Sequence, residues 1–494
     1  MKFSNPIIPG FHPDPSFCRA GEDYYLVTSS FEFFPGVPIY HSRDLVNWTQ
    51  IGHVFDRDSQ LPLQKVRPSN GVFAPTIRYH DGTFFVITTN VGSTGNLIVH
   101  ATDPAGPWSE PALVDQGGID PSLFFDEDGK VYYTGTLSGP EFVQGIALFE
   151  VDPFTGKKLS EPKLIWCGTG GRYPEAPHIY KINGLYYLMI AEGGTEYGHM
   201  VTIARAQDIY GPYESCPHNP ILTHARLAAQ YNPIMGTGHA DLLEAHDGSW
   251  WLTFLAFRPS ESYFHHLGRE TFLSPVGWKD GWPVVNEGRP VELQMDCPTL
   301  PACPVKPLPV RDDFSRGIGF AWNYLRNPRG ECYAAGADGL TLTGCEDTLD
   351  SGYTPTFLGR RQEQFDMRCA ARLAPLSPQG DGRCGLSVFY NYQHHYDLCL
   401  EGGKLCLIKQ VGDMRVTAFE TPWAGECELE IRADRFTYSF YFAQPGGEKR
   451  LAGRALTRFV STEATPSSFT GVYLAMFAER GARARFAWFD YENL

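Results

Sequence analysis

One ten-residue pattern recurs five times within residues 21–255, and it constrains the fold more than any other feature of the chain. A turn residue is followed by an aromatic pair and a strand-forming run: GEDYYLVTSS, HDGTFFVITT, EDGKVYYTGT, INGLYYLMIA and HDGSWWLTFL. The pairs Tyr24-Tyr25, Phe84-Phe85, Tyr132-Tyr133, Tyr186-Tyr187 and Trp250-Trp251 are 60, 48, 54 and 64 residues apart, close to the length of one four-stranded propeller blade each. Four copies place Asp-Gly or Asn-Gly at the turn, the signal for a tight type I′ hairpin with positive φ at both central residues. Upstream of each pair lies a second short strand: DPSFCR, APTIRY, DPSLFF, EAPHIY and HADLLE. The two strands form the inner hairpin of a blade, and HSRDLVNW, ATDPAGPW and ARAQDIYGPY are weaker echoes of the outer strands. The expected fold class is therefore all-β, with a five-bladed β-propeller over residues 1–296. A sandwich with five accidental hairpins does not account for two motifs recurring in order.

After Asp296 comes CPTLPACPVKPLPV, with five prolines in fourteen residues, which reads as an extended linker over 297–310. Residues 311–494 lack the repeat but keep strand alternation, as in GLSVFYNY, CELEIRA and YSFYFA, so a β-sandwich is expected there. High aromatic content (14%) with 51 Gly and 38 Pro suits short strands and tight turns in both parts.

The net charge of −15 works against nucleic acid or an anionic membrane as a partner, and it is compatible with a neutral sugar. The N-terminal MKFSNPIIPGFHPDPSF has no apolar core and is broken by Pro6, Pro9 and Pro13, so it does not read as a signal peptide. Twelve cysteines lack any CxxC pair, and an odd seven follow residue 310, a usage that points to free thiols and a cytoplasmic location.

In a propeller the first strand of each blade lines the central channel, so equivalent repeat positions converge. Those positions hold Asp14, Ala74, Asp120, Glu175 and His239. Asp14 and Asp120 precede proline and Glu175 precedes Ala-Pro, so each alone could simply shape a strand entry. Three carboxylates in register are another matter, because gathering like charges raises at least one pKa. Glycoside hydrolysis uses such a group: a carboxylic acid protonates the leaving oxygen while a carboxylate activates water or attacks the anomeric carbon.

These stretches resemble glycoside hydrolase family 43, the β-xylosidases, α-L-arabinofuranosidases and arabinanases. The resemblance is carried by NPIIPGFHPDPSF, SSFEFFPGVPIYHSRDLVNW, GVFAPTIRYHDG, GGIDPSLFFDEDGKVYY, YPEAPHIYKINGLYYLMIAEGGT, GTGHADL and HLGRETF. It implies a five-bladed propeller and inversion of configuration, with Asp14 as general base, Glu175 as general acid and Asp120 orienting the acid and tuning its pKa. TFLGRRQ and TGVYLAMF are similar to the concanavalin-like sandwich of the xylosidase branch, which implies one sandwich aromatic at the pocket mouth, here Tyr473. Among residues expected at the substrate, Phe31 and Phe73 can face a sugar ring or serve as core, and Arg269 can donate to hydroxyls and hold acidic neighbours. His239 either joins the site, as in relatives where a histidine here helps hold a calcium-hydrate cluster, or is a hydrogen-bonded core residue.

The expected function is an exo-acting, inverting glycosidase that releases terminal β-D-xylose or α-L-arabinofuranose from a small oligosaccharide. Endo-arabinanase and non-catalytic carbohydrate-binding propeller are the alternatives. No cofactor is required and no metal-ligand motif is evident beyond a structural calcium near His239; assembly as a homo-oligomer is left open.

Overall fold

The computed structural model describes residues 2–138, 144–228, 231–296, 299–377, 381–465 and 468–494. Five antiparallel sheets of four strands follow one another, the second and fourth each gaining one extra two-residue strand. Their innermost strands are Ser16–Ala20, Thr76–His80, Ser122–Phe125, Glu175–Ile182 and Met235–Glu244, each hydrogen-bonded to the strand that carries an aromatic pair. The aromatic pairs alternate sides of their strands and fill the contacts between blades, as in the Tyr25–Phe84 and Phe85–Phe125 ring contacts.

The turns split into two kinds. Asp81-Gly82 and Asn183-Gly184 close two-residue loops with positive φ at both positions, as type I′ requires. At Asp128-Gly129 and Asp247-Gly248 only the glycine has positive φ, because the loop spans five residues there, closed by Asp126 N–H to the Lys130 carbonyl and Ala245 N–H to the Ser249 carbonyl.

The ring closes through the N-terminal segment. Lys2–Ser4 pairs with Gln294–Asp296, and the Asn5 side chain exchanges hydrogen bonds of 3.0 and 2.9 Å with the backbone of Leu273 in the fifth blade. On the axis a buried polar net joins all five blades. Asp241, fully buried in the fifth, accepts from Ser16 Oγ of the first at 2.7 Å, Arg78 Nη1 of the second at 2.8 Å and Tyr180 Oη of the fourth at 2.6 Å. Arg78 also donates to His178 Nδ1 at 2.8 Å, and Ser122 Oγ of the third blade lies 3.1 Å from the same nitrogen.

Cys297 and Pro298 of the linker lie outside the described residues. Leu300 still packs into the propeller core, the Cys303 N–H donates to Asp44 Oδ2 at 2.7 Å, and Pro301–Val310 run exposed without regular structure. Beyond them two antiparallel sheets stack over one core of Leu, Val, Phe and Met side chains. The six-stranded sheet turns its other face to the propeller, where Phe357, Phe389, Tyr473 and Phe477 share a cluster with Phe11, Phe31 and Phe33. Backbone pairing of Phe33–Phe34 with Tyr324–Leu325 fixes the two parts in register.

Burial by itself would raise the Asp241 pKa, but Arg78 and the hydrogen bonds hold it far below the usual carboxylate range. The stability this contributes is present above the unfolded carboxylate pKa and is lost as pH falls toward the lowered one. Asp241→Asn leaves a mostly buried guanidinium without its counter-charge and is expected to cost about 3–5 kcal/mol. Guanidinium chloride unfolding near neutral pH measures this, and an unchanged midpoint would contradict the role given to the axial pair.

Candidate active site

Three of the five axial positions share a left-handed backbone. Asp14, Asp120 and His239 have φ of 56°, 54° and 45°, and in the fourth blade the positive φ falls one residue later, at Ala176 (53°). Left-handed backbone is costly for non-glycine residues and collects where function over-determines it. The register of the inner strand shifts between Glu175 and His178 and again around His239, so bulges aim both side chains inward. Glu175 therefore stands one residue further from its strand's first regular pair than Asp14 and Asp120 do, each of which is followed by proline and then by Ser16 or Ser122.

The three carboxylates meet in different company. Asp14, 4% exposed, accepts from Ser29 Oγ at 2.5 Å and Arg269 Nη1 at 3.0 Å, with His239 Nδ1 at 3.7 Å. Burial works to raise its pKa, but Arg269, His239 and the Ser29 hydroxyl outweigh it and hold Asp14 below the ordinary value. Glu175, open on its cavity side, is pushed up to about 7, first by burial and then by the Asp14 charge, with Arg269 opposing. Asp120 is raised well above the usual range by burial, by Glu175 and by Asp14, while the N–H of Ala176 donates to it. That bond ties Asp120 to the backbone beside Glu175. One carboxylate is thus kept ionised and the other two share protons, the division that acid–base chemistry between two carboxyls requires.

Arg269 is 6% exposed and also donates from Nη1 to Thr195 Oγ1 at 2.8 Å and from Nη2 to the Phe469 carbonyl at 3.2 Å. Its guanidinium lies 5.6 Å from the Phe31 ring centre and 5.7 Å from that of Phe469. Phe73 and Phe469 keep open surface, while Phe31, 2% exposed, lies against both, 5.0 Å from Phe73 and stacked 5.9 Å from Phe469. Glu175 lines a cavity of about 250 Å³ between the third and fourth blades, walled also by Ile119, Thr136, Leu137, Gln144, Tyr173 and Pro174.

Tyr473 is not at the pocket mouth. It is fully buried, stacks on Phe33 at 4.0 Å and donates to Asn323 Oδ1 at 3.3 Å, because the strand Tyr473–Glu479 turns this side chain toward the interdomain cluster. The sandwich aromatic at the pocket is Phe469, four residues earlier and before that strand begins. Ser29 and Thr195, which the sequence reading did not single out, lie within the SSFEFF and AEGGT stretches that carried the family resemblance; nothing in the sequence marks Phe469.

Around His239 the nearest ring groups are His199 and His178, each with a buried Nε2 that lacks a partner. Among the described residues no three His, Cys, Asp or Glu side chains converge as metal ligands. Calcium takes oxygen ligands and these rings offer nitrogen, so the imidazoles themselves would not ligate a calcium directly.

Comparison with known proteins matches this geometry. The profile of glycosyl hydrolases family 43 fits residues 3–283, and that of the β-xylosidase C-terminal concanavalin A-like domain fits residues 311–492. The chain is 40% identical to the non-reducing end α-L-arabinofuranosidase BoGH43B of Bacteroides ovatus, over 100% of this chain and 95% of that protein. It is 38% identical to a xylosidase/arabinosidase of Butyrivibrio fibrisolvens, over 99% of this chain and 98% of that one. Among solved structures, the xylan β-1,4-xylosidase of Bacillus halodurans superposes with a TM-score of 0.94 at 33% identity, covering 99% of this chain and 100% of the other. With its catalytic propeller and C-terminal sandwich both matched, the chain belongs to glycoside hydrolase family 43.

Proposed function

We propose that the enzyme removes single pentose units, β-D-xylose or α-L-arabinofuranose, from the non-reducing ends of short oligosaccharides, with inversion at the anomeric carbon. The observation that carries this reading is the opposed ionisation of Asp14 and Glu175. An ionised Asp14 paired with Arg269 suits a base that takes a proton from water, and a Glu175 carboxyl near pKa 7 suits an acid that gives one to the leaving oxygen. The aromatic wall of Phe73 and Phe469 beside Arg269, one ring of it supplied by the sandwich, supports exo action by restricting the pocket. The cavity that Glu175 lines supports placing the leaving group there. The named relatives include both arabinofuranosidase and xylosidase, which supports a reading covering both sugars. A reducing, cytoplasmic compartment is part of the proposal, supported by free thiols among the described cysteines, such as Cys18, Cys216 and Cys369; cell fractionation tests it.

In the reaction, Asp14 draws a proton from a water that attacks the anomeric carbon, and Glu175 delivers its proton to the departing oxygen. Asp120, hydrogen-bonded at Ala176, holds the acid in place, while burial and the Asp14 charge keep the proton on Glu175.

The roles separate by leaving group. A nitrophenolate departs without a proton and a sugar alkoxide does not. Glu175→Gln is therefore expected to lose about 10²–10⁴-fold on xylo- or arabino-oligosaccharide but far less on a nitrophenyl glycoside. Asp14→Asn is expected to be inactive on both. Proton NMR of the first-formed sugar should show the anomer opposite to the substrate's, and a retained anomer overturns the assignment of Asp14 as base. Asp120→Asn weakens the acceptor for the Ala176 N–H, so the acid is less well placed and kcat/KM is expected to fall, while the alkaline limb, set by burial and the Asp14 charge on Glu175, stays in place. An unchanged rate would contradict this positioning role.

A further inference from the structure

Arg269 is held from both domains at once. Its Nη1 serves Asp14 and Thr195 of the propeller, and its Nη2 serves a backbone atom of the sandwich, the Phe469 carbonyl. That carbonyl has little freedom. The Phe469 N–H donates to Ser69 Oγ at 3.1 Å, and Ser69 is itself fixed by its N–H to Glu32 Oε2 at 3.0 Å. Three residues on, the Val472 N–H donates to the His266 carbonyl at 2.9 Å. Between these anchors Gly471 packs directly on the propeller backbone, where a Cβ would sit 2.5 Å from the Leu267 carbonyl oxygen and 2.9 Å from the Gly268 nitrogen. The residues that touch Gly471 thus lie within two positions of Arg269 in the chain.

We propose that the sandwich segment Ser468–Val472 is a positioning element for the catalytic base: through the Phe469 carbonyl it holds Arg269 in the pose that pairs with Asp14. The inference rests on the reading of Asp14 as base. The groups facing Asp14 are Arg269, His239 and His199 on one side and the Glu175 and Asp120 carboxyls on the other. Burial keeps both histidines below their ordinary pKa, so neither replaces the guanidinium as a cation at neutral pH. If Arg269 turns away, Asp14 is left buried with two carboxyl neighbours and its pKa rises. The sandwich then sets the ionisation of a residue more than 400 positions away, beyond lending an aromatic wall.

The test uses full-length Ser69→Ala, which removes the acceptor for the Phe469 N–H, and Gly471→Ala, which forces the segment off the propeller backbone. A nitrophenyl glycoside isolates the base, since its departure needs no acid. Both variants are expected to lower kcat several-fold and to move the acid limb of kcat/KM upward by about half a pH unit or more. Asn327→Ala serves as the comparison: it breaks contacts between sandwich and propeller at Asp58, Leu61 and Leu63, remote from Arg269, and should leave the limb in place. If Asn327→Ala moves the limb as far, the effect is general loosening and the proposal falls. It also falls if Ser69→Ala and Gly471→Ala keep the wild-type limb and kcat while Asp14→Asn is inactive. Activity in Asp14→Asn instead overturns the assignment of the base itself. Should Gly471→Ala fail to fold, the milder Ser69→Ala carries the measurement.

Discussion

The Arg78–Asp241 pair on the propeller axis is the contact on which the remaining geometry depends. Each blade is a separate sheet, and blades meet mainly through side chains. Apolar packing between blades is tolerant of sliding, whereas a buried carboxylate whose oxygens accept from Ser16, Arg78 and Tyr180 is not. Because those donors come from different blades, the pair sets their inner strands at one height. The carboxylates of the site stand just beyond these same strand starts, so the level of the net becomes the level of the chemistry.

From that level the site gains its asymmetry. A five-fold arrangement alone would give like residues like environments, yet Asp14 is held low in pKa and Glu175 and Asp120 are held high. Desolvation pushes all three the same way, and the difference comes from Arg269, with His239 and the Ser29 hydroxyl, at Asp14 and from like-charge repulsion at the other two. Arg269 touches Asp14 and only moderates the others. The bulges that turn Glu175 and His239 inward complete the arrangement, by aiming one acid and one imidazole at the pocket from strands whose regular alternation would not.

The sandwich is part of this arrangement in two ways. Its six-stranded sheet buries Phe33 and its neighbours on the propeller, a cluster neither part could leave exposed without cost. The Ser468–Val472 segment reaches past that cluster to the pocket, supplying the Phe469 ring and the carbonyl that meets Arg269. The extended linker is consistent with such docking, since the interface and not the connector fixes the pose.

Blade number and the identity of the axial carboxylates were legible in the sequence for one reason. A hairpin is a local event, written by a turn and a period-two strand, and propeller symmetry turns equal positions in the repeat into neighbours in space. The tight turns were legible only in part, because Asp-Gly marks a hairpin without stating whether the loop spans two residues or five. What tertiary structure alone decided is anything set by chain segments that are distant and unrepeated. The placement of Arg269 against Asp14 joins residues 255 positions apart, and it determines which carboxylate stays ionised. The choice of Phe469 over Tyr473 as the pocket aromatic depended on where one sandwich strand begins and which face its first residue takes. Local pattern carries no information on either, because both follow from how the two domains pack.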